Sequence, residues 1–166
     1  MILCLDLGIT IGWTAGALDG HPTVGATALT GTDAGHRFGQ AANTVRSLIE
    51  RFAPDFVWKE APVVTHGATN ANVQKLHFGW HAIVEEVCWR ARVPCDEVSV
   101  DDIRAGLMGR TRLRKEEKAA GVTMKHLVEI ALDHCGYADL AKNHNAADAL
   151  ALWLYIRNRR GRPIRR

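Results

Sequence analysis

Met1-Ile2-Leu3-Cys4-Leu5-Asp6-Leu7-Gly8 is the stretch on which the reading of this chain turns. Its apolar run reads as a buried strand, and one carboxylate interrupts it two residues before a glycine. Two later segments repeat the anomaly. Phe56-Val57-Trp58-Lys59-Glu60 closes an apolar run on a glutamate. Ala146-Ala147-Asp148-Ala149-Leu150-Ala151-Leu152-Trp153 encloses an aspartate in a helix that is apolar nearly all round. An ionised carboxylate taken out of water is strongly unfavourable unless it is paired or ligates a metal. Three such groups, distant in sequence, share one solution if the fold brings them together: a hard-oxygen site for Mg²⁺ or Mn²⁺.

The chain has 166 residues, enough for one domain that buries about 70% of its extended-chain surface. Its 47% hydrophobic and 23% charged content is that of an ordinary soluble globular protein. No apolar stretch approaches the roughly 20 residues needed to span a bilayer. The N-terminus lacks a basic n-region and a cleavage site, so neither a membrane partner nor a signal peptide is expected. Cys4, Cys88, Cys95 and Cys135 form no CxxC pair. Buried thiols in a reducing cytoplasm are the expectation, rather than disulfides or zinc ligands.

Net charge is +3, and its distribution says more than its size. Residues 157–166 carry six arginines and no acid, and removing those six leaves −3 on the remainder. An acidic body with a basic tail suits a carboxylate metal site beside a phosphate-binding arm. A solubilising, frayed terminus is the plainer account of the same residues.

The pattern predicts a strand over residues 2–7, a second strand through about Ala17, and a third from Thr23 to Leu29. Asp19-Gly20-His21-Pro22 makes the turn between the last two. A helix is expected from about His36 to Phe52, then a fourth strand ending at Glu60. A long helix should run from about Ala71 to Arg92, ended by Pro94, with a fifth strand from Cys95 to Val100. Ser99 or Asp101 is placed to cap a brief helix through about Leu107. A basic loop, Gly109-Arg110-Thr111-Arg112-Leu113-Arg114-Lys115, precedes helices at roughly 115–135 and 145–158. The expected order is βββαβαβααα, a single mixed α/β domain over 1–158 with a basic tail at 159–166.

Each acid has an ordinary explanation beside the functional one. Asp6 suits a strand-to-turn aspartate capping local amides, with Gly8 leaving room for close approach. Glu60 suits a strand-end glutamate reaching water, and Lys59 points to the opposite face of its strand. Helix-dipole stabilisation of Asp148 is worth only about 0.3–1 kcal/mol, too little to offset burial, so the ligand reading prevails there. Asn145 and His144, at i−3 and i−4 from Asp148, share its face and can add a fourth ligand. Asn143 as an N-cap with His144 in solvent is equally compatible.

These segments resemble the RuvC family of Holliday-junction resolvases, within the RNase H-like nucleases, over about 1–158. The resemblance rests on Ile2-Leu3-Cys4-Leu5-Asp6-Leu7-Gly8-Ile9-Thr10, Pro54-Asp55-Phe56-Val57-Trp58-Lys59-Glu60, the helix containing Lys75-Leu76, and Ala146-Ala147-Asp148-Ala149-Leu150-Ala151-Leu152. It implies an RNase H-like fold with a five-stranded mixed sheet flanked by helices. It further implies that Asp6, Glu60 and Asp148 bind two Mg²⁺ or Mn²⁺ ions and hydrolyse phosphodiesters. The family has another catalytic residue three positions before the last aspartate, usually Asp and sometimes His. Here that position is Asn145, with His144 beside it. The family also places a lysine near the site, for which Lys115, Lys118 and Lys125 are candidates and Lys118 is the expected choice.

Family members are homodimers that open four-way junctions and nick two strands. Phe78, Trp80, Val84, Val87, Cys88 and Ala91 offer an apolar stripe for pairing, though a core role explains the same pattern. Junction-opening wedges are sought among His66, His77, Phe78 and Trp80, since unpaired bases stack on aromatic rings. Lys75, Arg110, Arg112, Arg114, Lys115, Lys125, Arg159 and Arg160 are the expected nucleic-acid contacts. The implied activity is a crossover-junction endodeoxyribonuclease acting on four-way junctions, or on forks or flaps. A compact copy this divergent fits a phage or prophage origin. Two other classes stay open: a junction-binding protein with a weakened site, suggested by Asn145, and an actin-like ATPase-type phosphotransferase. The latter has a similar first phosphate loop but needs a second domain.

Overall fold

The computed structural model describes residues 1–62, 70–140 and 143–159. Three N-terminal strands, β1 (Ile2–Asp6), β2 (Thr10–Gly16) and β3 (Thr23–Ala28), form an antiparallel meander. The helix α1 (Ala34–Phe52) then carries the chain back to β4 (Phe56–Glu60), which pairs parallel to β1. The helix α2 (Ala71–Ala91) leads to β5 (Cys95–Val98), parallel to β4. The sheet order is β3-β2-β1-β4-β5, and α3 (Val100–Met108), α4 (Lys115–Ala119), α5 (Met124–His134) and α6 (His144–Arg159) follow. This is the expected five-stranded mixed sheet flanked by helices.

Two apolar cores cover the two faces of the sheet. Leu3, Leu5 and Leu7 of the first segment pack with Ala41, Val45 and Leu48 of α1 and Trp80, Val84 and Val87 of α2. Ile2 and Cys4 point the other way, into a core built mainly from α6 with Val128 and Leu132 of α5. Period-two alternation therefore sends even-numbered residues of β1 towards α6. The close approach of α6 to the sheet depends on β2. A Cβ on Gly12 would lie 1.9 Å from the Asn145 carbonyl oxygen, so only glycine permits this packing.

One expectation is corrected and one pair of alternatives is decided. The helix predicted over 115–135 is two helices, because Gly121 adopts φ +74° and Thr123 starts α5 by accepting the His126 amide. Ser99, rather than Asp101, caps α3, its hydroxyl accepting the Asp102 amide at 3.1 Å. The stripe proposed for subunit pairing also has another use. Trp80, Val84, Val87 and Cys88 are core residues of the α2 side, leaving Phe78 at 44% exposure as its outward aromatic.

Lys59 is the unexpected occupant of the α2-facing core. It is 1% exposed, and its ammonium group meets Glu97, Glu85 and His81. Burial and the adjacent ammonium push the His81 pKa down to about 4, so this imidazole is neutral at physiological pH.

Candidate active site

Asp6 ends β1 and Glu60 ends β4, two strands that run parallel with Leu5 beside Lys59. One further residue of that register sets the two acids side by side at the carboxyl ends of their strands. Both belong to the α6-facing series, as do Cys4 of β1 and Trp58 of β4. Asp148 comes down from the first turns of α6, held by the buried alanines Ala146, Ala147 and Ala149 around it. The three carboxylates line one open cleft of about 710 Å³. Gly8, Ser99, Asp101, Arg104, Lys125 and Asn145 line it with them.

The electrostatics of this cleft are those of crowded acids in a partly dry place. Burial, and then repulsion from Asp148, push the Asp6 pKa up to about 7, with Lys125 opposing. Burial, followed by Asp6 and Asp148, push Glu60 to about 8, against Arg104 and Lys125. Burial raises Asp148 as well, opposed by Lys125, Arg104 and His144. Asp148 is not sealed in as the sequence implied: its side chain is 22% exposed and opens into the cleft. Lys125 Nζ stands 4.0 Å from Asp148 Oδ2. Two cations, Lys125 and Arg104, thus share one cavity with four acids, Asp6, Glu60, Asp148 and, at the start of α3, Asp101.

The remaining expected residues divide clearly. Asn145 lines the cleft, whereas His144 pairs with Glu129 of α5 and is not part of the lining. Among the lysines, Lys125 lines the cleft, while Lys118 and Lys115 are exposed on α4. Arg110 is committed to a bidentate pair with Glu117, both bonds 2.6 Å, which draws the Glu117 pKa down to about 2. Lys75, Arg112 and Arg114 are exposed. The Arg159 guanidinium lies over the Tyr155 ring. Of the wedge candidates, Trp80 is buried in the core and His77 packs against His81, while Phe78 remains outward. His66 and Arg160 lie outside the described residues.

Arg104 was missed by sequence reasoning. Its signal was present: α3 starts straight after β5, and helices that follow parallel strands begin at the carboxyl edge where open α/β sheets bind ligands. Ile103 of that helix is buried in the α6-side core, and both it and Arg104 line the cleft.

The donor set fits a hard divalent cation: carboxylate oxygens from three elements, plus the amide oxygen of Asn145. Among the described residues, no three His, Cys, Asp or Glu side chains stand close enough together to hold a metal ion as they are. The acids repel one another across the cleft, a repulsion that a bound cation would offset.

No family model and no curated protein matches the chain. Solved structures do. The Thermus thermophilus RuvC structure superposes with a TM-score of 0.68 at 20% identity, covering 96% of this chain and 95% of that one. T. thermophilus RuvC in complex with a Holliday junction substrate gives 0.65 at 24% identity, over 93% and 90% of the two chains. The yeast mitochondrial Holliday junction resolvase Ydc2 gives 0.51 at 14% identity, over 95% and 78%. The chain therefore shares the fold of the RuvC structures over more than nine-tenths of its length.

Proposed function

We propose that this protein is a RuvC-type endodeoxyribonuclease that resolves four-way or other branched DNA by metal-dependent phosphodiester hydrolysis. The observation that carries the proposal is the meeting of Asp6, Glu60 and Asp148, from two strands and a helix, with Arg104 and Lys125 in the same cleft. Carboxylates whose pKa values are raised by burial and by one another, gathered in a cleft with two cations, are the marks of a functional site. The fold is shared with a RuvC bound to a Holliday junction substrate and with a yeast mitochondrial Holliday junction resolvase.

In this reading Asp6, Glu60 and Asp148 hold Mg²⁺ or Mn²⁺, with Asn145 as a neutral fourth donor. Such ions supply an activated water and stabilise the leaving oxygen. The chain's own cations do the rest. Lys125 and Arg104 bind the scissile phosphate and hold it against the acids, where charge accumulates in the transition state. Gly8, with no side chain, lets the sugar-phosphate backbone approach Asp6. Arg112, Arg114, Lys75 and the arginines of the tail supply sequence-independent phosphate contacts. Phe78 is the wedge candidate that stays outward and is available to stack on an unpaired base. Two copies are needed to nick two strands symmetrically, so a homodimer is part of the proposal.

A second reading has a specific observation behind it. Asn145 places a neutral amide where an anion would strengthen cation binding, which favours a junction-binding protein with a weakened site. Incubating the protein with a labelled four-way junction and a matched linear duplex, in Mg²⁺, Mn²⁺ or EDTA, separates the two. Paired, metal-dependent nicks at the junction support the nuclease. Tight binding without nicks supports the binding module.

A further inference from the structure

Glu60 has a neighbour that the cleft does not explain. The side chain of Lys59 leaves β4 on the opposite face, against α2, and is 2% exposed. Its Nζ lies 2.5 Å from Glu97 Oε2 on β5 and 3.0 Å from Glu85 Oε1 on α2. It also lies 3.3 Å from His81 Nδ1, which accepts from it. One cation therefore ties three elements together. A buried ion pair is commonly no more stabilising than a packed apolar side chain of similar volume, so stability alone gives little reason for lysine here.

Its position gives a better one. In the β4–β5 ladder Lys59 is beside Glu97 and Glu60 is beside Val98. The Ala61 amide donates to the Val98 carbonyl at 2.8 Å, which closes the ladder. The next residue, Ser99, caps α3, the helix that brings Arg104 to the cleft. The tie thus sits one residue behind the Glu60 acid and two residues behind Ser99, the cap of α3.

We infer that Lys59 is a positioning residue: through Glu97 and Glu85 it holds the end of β4 against β5 and α2, and so sets the placement of Glu60 relative to Arg104. The inference rests on the nuclease reading above. Lys59 faces away from the cleft and touches no substrate. It acts by fixing the geometry in which Glu60 and Arg104 meet metal and phosphate, where a displacement of about 1 Å can slow chemistry about a hundredfold.

The test is the paired variant Lys59→Met with Glu97→Gln, which removes the cation together with one of its carboxylates. Glu85 is 62% exposed and returns to water. Thermal melting, junction affinity, single-turnover nicking and Mn²⁺ binding to metal-free protein are measured against wild type. Expected are near-wild-type melting and junction affinity, nicking slowed about tenfold or more, and a weakened Mn²⁺ midpoint. A folded variant with wild-type nicking and a wild-type Mn²⁺ midpoint overturns the inference and leaves the cluster a folding role. Should the pair fail to fold, Glu97→Gln alone, which keeps an acceptor for Lys59, is judged by the same readouts. A wild type that binds Mn²⁺ but does not nick sinks the nuclease reading, and the Mn²⁺ midpoints then decide the inference. A wild type that does neither overturns both.

Discussion

At the residue scale the cleft is a place where charge works against folding. Asp6 moves from an ordinary carboxylate value to about 7 and Glu60 to about 8, each through burial first and neighbouring acids second. A folded-state pKa above the unfolded one contributes stability at low pH that is lost as pH rises through the folded value. The metal-free protein is therefore expected to lose stability between about pH 4 and pH 8. Asp6→Asn removes part of that penalty. In EDTA at pH 8 it should raise the melting temperature by several degrees, at about 2–4 °C per kcal/mol, with little gain at pH 5. Differential scanning calorimetry at the two pH values checks this, and an equal shift at both would contradict it. The same substitution, like Asp148→Asn, should abolish cleavage while junction affinity holds or rises, because negative charge near the phosphates is removed. The two lysines offer a sharper contrast. Lys125→Ala should slow single-turnover cleavage about a hundredfold, whereas Lys118→Ala, altered on the exposed face of α4, should change it less than about twofold. The reverse ranking would return the role to Lys118.

At the element scale the decisive contact is α6 on β2. Gly12 lets the Asn145 backbone sit where a Cβ would otherwise be, and this seats Asp148 over Asp6 and Glu60. Gly12→Ala should cost about 1–3 kcal/mol by overpacking and should depress cleavage beyond what its stability loss explains. Urea denaturation and single-turnover rates on the same preparation measure both effects. The elements themselves were largely legible in the sequence. Apolar runs broken by Asp6 and closed by Glu60 marked the two strands, and the apolar surround of Asp148 marked a helix laid on the sheet. What escaped was local or long-range in kind. The break at Gly121 was written in a Gly-Val-Thr stretch, but helical spacing on either side masked it. The α2 stripe was ambiguous because a core face and a dimer face share one periodicity, and tertiary packing sent Trp80, Val84 and Val87 inward. Arg104 entered the cleft through the β5–α3 connection, a relation no spacing within one helix reveals. That Lys125 rather than Lys118 lines the cleft likewise depended on how α5 lies against α6.

At the scale of the whole molecule, the proposed function asks an acidic cleft and scattered surface cations to hold a polyanion together. Most contacts to DNA phosphates carry no sequence information, but each adds to the salt dependence of binding. Truncation after Asn158 removes five arginines. It should weaken junction binding and flatten the plot of log affinity against log salt by up to about four or five units of slope. An unchanged slope would show that the tail makes no phosphate contact. The central claim, that three separated acids form one metal-dependent catalytic centre for branched DNA, is tested most directly by cleavage itself. The protein is incubated with a labelled mobile four-way junction and a matched linear duplex in Mg²⁺, Mn²⁺ and EDTA, beside Asp148→Asn. The account predicts paired nicks on the junction alone, present with metal and absent both in EDTA and in the variant. Tight junction binding with no nicks in either metal, or nicking that survives in Asp148→Asn, would contradict it.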